Sequence, residues 1–174
     1  MTSLVSKSFL VIRSLTYSAA FVWLWTWLAL SVRTLDATLP ISLPRWLFPI
    51  GFLMASAGAV LAGTCIVIFL IRGRGTPAPF DAPREFVVSG PYRYVRNPMY
   101  VGAIALMLGA GLALSSASVV LLAFASLFVM HLFVIVYEEP TLSDRFGASY
   151  REYRTAVPRW LIRIPKADGL RRDG

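Results

Sequence analysis

Stretches without a charged residue divide the chain into segments. Residues 14–32, 46–71 and 97–137 contain no Asp, Glu, Lys or Arg, and they are 19, 26 and 41 residues long. A helix needs about 20 predominantly apolar residues to cross a hydrocarbon core roughly 30 Å thick. The first two stretches therefore predict one transmembrane helix each, at 14–32 and 46–71.

The third stretch is too long for a single span. One helix over all of it would measure about 60 Å at 1.5 Å per residue, twice the apolar thickness of a bilayer. The run Ser115-Ser116-Ala117-Ser118 lies near its middle and is typical of a tight turn. We therefore predict a helical hairpin with spans at 99–114 and 119–137.

This pattern predicts an all-α membrane protein with four transmembrane helices, the last two forming the hairpin. Residues 1–174 then form a single membrane domain. With four spans, both termini lie on the same side as the loop 72–98 and the tail 138–174. Because the outer loops are short, we expect any chemistry to reside in that loop and tail.

The tail predicts one further helix. Leu142, Phe146, Tyr150 and Tyr153 recur at helical spacing, with charged residues mainly between them. This is typical of a C-terminal amphipathic helix at the membrane interface. Thr141 is its predicted N-cap residue. Such a helix serves either as an anchor or as a lid over the loop.

Composition and charge agree with a membrane protein and orient it. Hydrophobic residues make up 57% of the chain and charged residues 15%, against roughly 25% charged in soluble domains. Of the 17 Lys and Arg residues, only Arg33 and Arg45 fall on the side opposite the termini, which leaves fifteen on the other. The positive-inside rule places the termini and the 72–98 loop in the cytoplasm. A short chain without a retention signal favours a bacterial inner membrane.

The same distribution bears on partners. The net charge of +8 is explained by topology and by anionic lipid headgroups. We therefore expect membrane lipids as partners and no nucleic acid. The sequence makes no prediction of the oligomeric state.

The single histidine and the single cysteine argue against several kinds of site. His131 lies in the fourth span without cysteine partners, so we expect no metal site. A hydrogen-bonded packing role is the favoured prediction for it, with an intramembrane functional role as the alternative. Cys65 lies in the second span and is expected to pack as a small apolar side chain.

Tyrosine and arginine residues are concentrated at the end of the 72–98 loop. The loop closes with Gly-Pro-Tyr-Arg-Tyr-Val-Arg-Asn-Pro-Met-Tyr, ending at Tyr100. Asn97 and Pro98 suit the cap and first position of the next helix, so a structural turn explains part of the pattern. It does not explain the tyrosines beside Arg93 and Arg96. Aromatic faces, cations and a helix N-terminus together suit an adenine-bearing, partly anionic ligand.

Two adjacent carboxylates, Glu138 and Glu139, close the fourth span. Negative charge is unfavourable at a helix C-terminus, and the two side chains repel each other. Either both are solvated acids at the interface, or a cation such as Arg93, Arg96 or a bound ligand compensates them. Pro140 prevents the helix from continuing unbroken.

Three segments carry a family resemblance. These are Gly90-Pro-Tyr-Arg-Tyr-Val-Arg-Asn-Pro-Met-Tyr-Val-Gly102, the Glu138-Glu139 pair, and Phe146-Gly-x-x-Tyr-x-x-Tyr-x-x-x-Val-Pro-Arg159. Together they resemble the isoprenylcysteine carboxyl methyltransferase and phospholipid methyltransferase superfamily, over about residues 84–160. The resemblance implies an integral-membrane enzyme with S-adenosylmethionine as its cofactor. Carried over by position, it assigns cofactor binding to Glu85, Phe86, Val87, Tyr92, Asn97, Pro98, Met99, Tyr100 and Glu138.

The resemblance also implies a lipophilic or lipidated acceptor, with a carboxylate of an isoprenylcysteine-like substrate favoured. The alternatives are phospholipid N-methylation and methylation of a small hydrophobic thiol or acid. Outside the enzymes, the alternative is a non-catalytic four-span accessory protein with a degenerate cofactor pocket.

The catalytic assignments rest on few residues. Arg154 and Arg159 are the candidates for holding an anionic substrate headgroup, and interfacial anchoring is their alternative role. Two positions depart from the family. Asn97 stands where members often have histidine and cannot carry a proton, and Val134 stands where a basic residue can hold a substrate carboxylate.

Overall fold

The fold was obtained as a computed structural model, which describes residues 2–68, 71 and 88–162. Within these residues the chain is helical and contains no β-strand. A π-helical turn joins the last two α-helices, and short 3-10 turns lie between others. The α-helices are α1 (Thr2–Arg33), α2 (Phe48–Ile68), α3 (Pro98–Ala113), α4 (Ala117–Phe133) and α5 (Glu139–Ala156); the 3-10 turns are Thr34–Ala37, Arg45–Leu47 and Gly90–Arg93, and the π-helical turn is Val134–Glu138.

The protein is an integral membrane protein with three long apolar candidate spans in its described part. They are Leu15–Ala37, Arg45–Ile68 and the apolar part of the continuous helical segment Ala117–Ala156. Charged residues follow Tyr137, so we treat the spanning part of that segment as ending there. The predicted span 99–114 is α3, whose 16 residues reach only about 24 Å.

Glycines let α2 and α3 pack almost backbone to backbone. An ideal Cβ on Gly109 would lie 2.6 Å from the carbonyl oxygen of Gly51. A Cβ on Gly102 would lie 2.8 Å from the carbonyl oxygen of Gly58. No side chain fits at these separations, and small residues are what allow apolar helices to approach closely in a membrane. Gly51 and Gly58 of α2 thus face Gly109 and Gly102 of α3.

The predicted hairpin between α3 and α4 is confirmed. Its turn passes through Ser115, which has a left-handed backbone conformation with φ of 51°. Ser116 then caps α4, because its hydroxyl accepts a hydrogen bond from the Val119 amide at 3.3 Å. Gly111 lies against the start of α4, where an added Cβ would be 2.8 Å from a Val120 methyl group.

The first helix packs on α4. Trp25 of α1 contacts a buried cluster formed by Met107, Val119 and Ala123. Beyond α1, Asp36 Oδ1 accepts a hydrogen bond from the backbone amide of Ser118 at 2.8 Å. A carboxylate at a helix N-terminus satisfies a free amide and is favoured by the helix dipole. This contact fixes the loop after α1 to the start of α4.

The π-helical turn accommodates Pro140. Proline has no amide hydrogen and crowds the carbonyl group four residues before it, and Pro140 lies in the first turn of α5. The predicted interruption is therefore a widened turn, and the sharper kink lies at Gly147, with φ of 54°. The prediction that Thr141 caps the helix is wrong. Its hydroxyl donates to the Tyr137 carbonyl oxygen at 2.7 Å, and α5 begins two residues earlier.

The predicted amphipathic helix is α5, and protein covers its apolar face. Tyr150 and Tyr153 are buried and form a cluster with Val157, Leu142 and Phe146. These side chains are thus not available to lie in lipid. This arrangement agrees with the lid alternative, because α5 also contacts the loop that precedes α3.

Candidate cofactor and acceptor site

The tyrosine in the first turn of α3 and the glutamate at the end of the π-helical turn meet at one end of the helices. The Tyr100 hydroxyl donates to Glu138 Oε2 at 3.0 Å. Glu138 is half-buried, and no arginine or lysine in the described part of the chain forms an ion pair with it. A carboxylate has about four acceptor positions, so this one keeps the capacity to accept further hydrogen bonds.

The 3-10 turn before α3 places Tyr92 beside this pair. Its ring is buried, its side chain shares a hydrogen bond with Cys65 of α2, and Glu138 is close enough to act on it electrostatically. Burial raises the pKa of Tyr92 well above its ordinary value, and Cys65 and Glu138 act in the same direction. Its backbone carbonyl accepts a hydrogen bond from the Tyr153 hydroxyl at 2.6 Å. Tyr92 is therefore a neutral phenol held from both sides.

The second glutamate has different partners. Arg96 Nη1 lies 2.9 Å from Glu139 Oε1, and Arg159 binds both carboxylate oxygens, with Nε at 2.6 Å and Nη2 at 3.0 Å. Burial alone would raise the pKa of Glu139, but the hydrogen bond from Arg159 and the charges of both arginines more than offset it, so the pKa is lowered. The same hydrogen bond raises the pKa of Arg159. Of the two cations predicted as compensating charges, Arg96 has this role and Arg93 is exposed.

Residues 157–160, which we call the strap, cross the loop that precedes α3. The Arg96 amide donates to the carbonyl oxygen of Pro158 at 2.9 Å. Asn97 Nδ2 donates to the carbonyl oxygen of Arg159 at 3.2 Å. Asn97 thus stands at the N-cap position, as predicted, but its side chain binds the strap and does not cap α3. These two hydrogen bonds therefore hold the backbone just before α3, the helix that carries Tyr100.

Trp160, the last residue of the strap, contacts His131, the only histidine of the chain. Trp160 Nε1 donates to His131 Nδ1 at 2.9 Å, and the two rings are 5.9 Å apart between centroids. His131 is thus hydrogen-bonded, as its predicted packing role requires. Its partner was not foreseen, because the two residues are separated by a helix, a kink and a turn.

The remaining predicted residues have varied positions. Glu85, Phe86 and Val87 lie outside the described residues. Pro98 is buried in the first turn of α3, and Met99 is half-buried beside it. Of the two arginines proposed for a substrate headgroup, Arg159 binds Glu139 and Arg154 is exposed on α5. At Val134, where family members can carry a basic side chain, the residue is only 1% exposed.

These features define an all-helical membrane protein with a half-buried tyrosine–carboxylate site where its apolar helices end. The sequence model of the phospholipid methyltransferase family matches residues 50–149, which is 100 of the 174 residues. The chain belongs to this family, whose members are membrane methyltransferases that use S-adenosylmethionine. Comparison with curated proteins finds no match.

The matched segment covers α2 to the first half of α5. It includes the Tyr100–Glu138 pair and Arg96, one of the two arginine partners of Glu139, and it does not reach Arg159. It starts earlier than the resemblance drawn from the motifs, which begins near residue 84, and it ends before the strap. Family membership identifies the chain as an enzyme, which removes the accessory-protein alternative.

Proposed function

We propose that this methyltransferase moves a methyl group from S-adenosylmethionine to a carboxylate of a lipophilic acceptor, such as an isoprenylcysteine-like molecule. The observation that carries the site assignment is the Tyr100–Glu138 pair. Glu138 is a largely enclosed carboxylate whose described partner is a neutral hydroxyl. A cationic ligand with hydrogen-bond donors would supply the missing charge.

The side chains around this pair fit such a cofactor. Glu138 would accept hydrogen bonds from its ammonium or ribose hydroxyl groups, and the rings of Tyr92 and Tyr100 offer aromatic faces to a cation. The first amides of α3, at Met99 and Tyr100, lack acceptors within the helix and would hold its carboxylate. Asn97 and Pro98 start that helix and complete the proposed set, together with Glu85, Phe86 and Val87.

The protein's part in the chemistry is alignment. When bound, S-adenosylmethionine supplies a methyl group already activated on its sulfonium. The buried Tyr92, Asn97 and Pro98 side chains exclude water from the site, and the helix ends fix the approach direction of the acceptor.

The arrangement favours an acceptor that needs no proton removed. Asn97 is an amide and is bonded to the strap, Glu139 is paired with two arginines, and His131 Nδ1 already accepts a hydrogen bond. A carboxylate reacts in its ordinary ionised form, whereas an ammonium group must first lose a proton. Because Arg159 is paired, Arg154 is the freer of the two proposed headgroup-binding arginines. The family description favours phospholipid N-methylation as the second candidate.

The proposal includes the membrane topology. The protein forms one membrane domain in a bacterial inner membrane, with α3 as a short fourth span and with both termini and the site on the cytoplasmic face. The excess of basic residues on that side supports this orientation. The lipophilic acceptor would enter from the bilayer, and the cofactor from the cytoplasm.

Calorimetry on detergent-purified protein tests the site. S-adenosylmethionine and its demethylated product should bind with micromolar affinity. Glu138→Gln and Tyr100→Phe should weaken binding by about 10- to 100-fold, since hydrogen bonds to charged groups contribute roughly 1.5–3 kcal/mol. Tyr94→Phe is the matched control, because Tyr94 is an exposed tyrosine in the same loop. Absence of binding by folded protein would contradict the proposal, as would unchanged binding in Glu138→Gln.

Methyl transfer from a radiolabelled donor tests the acceptor. Purified protein should methylate added farnesylated N-acetylcysteine and leave phosphatidylethanolamine unlabelled. The reverse result would establish the phospholipid alternative, and it would place the proton acceptor for the amine among groups that this proposal leaves unused.

A further inference from the structure

His131 is an imidazole inside a membrane-spanning helix with one nitrogen engaged. Trp160 Nε1 is a donor only, so the Nδ1 atom that it contacts at 2.9 Å must be the unprotonated nitrogen of a neutral ring. The proton then resides on Nε2, at the other side of the ring. The strap delivers Trp160 to this position, because Arg159 is bonded to Glu139 and Asn97.

The Nε2–H donor has no acceptor among the described residues. His131 is half-buried, and its neighbours Leu132 and Val129 on α4 are exposed at 45% and 63%, as expected for side chains that face lipid. An N–H group without an acceptor in an apolar medium costs several kcal/mol. A hydrogen-bond acceptor from a lipid-soluble molecule would remove that cost.

The position of the ring suits the acceptor of the reaction. His131 precedes Glu138 by seven residues on one helical segment, which places it about 10 Å nearer the membrane centre. A lipophilic acceptor that enters from the bilayer must pass on this side of the Tyr100–Glu138 pair. Ester carbonyl groups of ordinary phospholipids are concentrated at the interface, so a bilayer lipid reaches this depth less readily than a bound acceptor does.

We propose that His131 is a specificity-determining residue, whose Nε2–H, fixed by the Trp160 indole, donates a hydrogen bond to an oxygen of the lipophilic methyl acceptor. This inference rests on the proposed function, since it names how the same site recognises its substrate. The required chemistry is a hydrogen-bond-accepting oxygen on a lipid-soluble molecule, and a bilayer lipid is the other possible source of that oxygen.

Because the chain has one histidine, nitrogen NMR of protein labelled with 15N-histidine reports on this ring alone. We expect a neutral ring protonated at Nε2. Farnesylated N-acetylcysteine should shift the Nε2 and attached proton signals, and the same compound without its carboxylate should not. Trp160→Phe should abolish the single tautomer, while Trp46→Phe, at an exposed tryptophan elsewhere, should leave it unchanged.

Other results would overturn the inference. A proton on Nδ1 contradicts the tautomer assignment without the need for any variant. A signal that moves on transfer from detergent to phospholipid nanodiscs, and not on addition of the prenylated probe, assigns the donor to a bilayer lipid and refutes substrate recognition. Calorimetric cofactor binding in the same samples separates the two proposals, because an intact cofactor site with an unresponsive His131 defeats this inference alone.

Discussion

The charge cluster at Glu139 allows a quantitative prediction. Glu139→Gln removes the negative charge that lies 2.9 Å from Arg96 and 2.6 Å from Arg159. The side chains of Arg96 and Glu139 are only 10% and 7% exposed, so the substitution leaves a buried guanidinium without its counter-charge. Removal of one partner of a buried pair costs about 3–5 kcal/mol. Because Arg159 is 28% exposed and keeps access to water, we expect the lower value, about 3 kcal/mol.

We expect this loss of stability to appear as more frequent detachment of the strap from the loop before α3. The Arg96 amide is bonded to the Pro158 carbonyl oxygen, so its hydrogen exchange reports how often the strap opens. A loss of about 3 kcal/mol should increase that exchange roughly 100-fold. Glu152→Gln, an exposed glutamate on the same helix, is the matched control and should leave exchange within about twofold of the wild type.

A double-mutant cycle isolates the pair interaction. Arg159→Gln should have a smaller effect than Glu139→Gln, because the Arg96–Glu139 ion pair remains. The two substitutions together should be less costly than the sum of the single effects. Wild-type exchange at Arg96 in Glu139→Gln, measured on folded protein, would refute the conclusion that this carboxylate holds the strap.

Three further predictions follow from other contacts. Gly109→Ala should lower the apparent melting temperature in detergent, with a cost of about 1–3 kcal/mol from overpacking against α2, whereas Gly63→Ala, where an added Cβ meets nothing within 4 Å, should leave it unchanged or raise it slightly. Asp36→Ala should destabilise the start of α4 by about 0.5–2 kcal/mol, and a Ser118 amide that exchanges no faster in this variant would contradict it. The pKa of Glu139 is lowered by folding, so its contribution to stability is present above its ordinary value of 4.5 and is lost as the pH falls through the lower folded-state value. The difference in melting temperature between wild type and Glu139→Gln should therefore shrink below about pH 4.5.

Sequence pattern alone was sufficient for the apolar helices and the hairpin turn. The length of the charge-free stretches predicts the helices, and the serine-rich break predicts the turn between the last two. The pattern was a poorer guide to the residues at which helices begin and end. The predicted interruption at Pro140 is present, but a π-helical turn accommodates it, so helical structure continues directly into α5 and Thr141 is an interior residue.

The site was only partly predictable because its contacts are long-range. The order of the family motifs predicts that Tyr100 and Glu138, which are 38 residues apart, belong to one site. By contrast, the charge of Arg159 and its position in the tail predict a contact with substrate, whereas its observed partner is Glu139. No spacing rule shows that this tail returns across the loop, and neither hydropathy nor a local motif indicates the Tyr153–Tyr92 contact or the hydrogen bond between Cys65 and Tyr92.

The two adjacent glutamates show how one motif can combine stability with binding capacity. Two negative charges at one helix end would repel each other, yet Glu139 is paired with two arginines and Glu138 accepts a hydrogen bond from the Tyr100 hydroxyl. Cationic partners neutralise one carboxylate permanently, and this lowers the local cost of a second carboxylate that has no permanent counter-charge. In the proposed function, a cationic ligand would gain the full attraction of Glu138, because no arginine would have to be displaced from it. The strap contributes to this arrangement, because its Arg159 supplies one of the two positive charges that neutralise Glu139 and leave Glu138 without a permanent counter-charge.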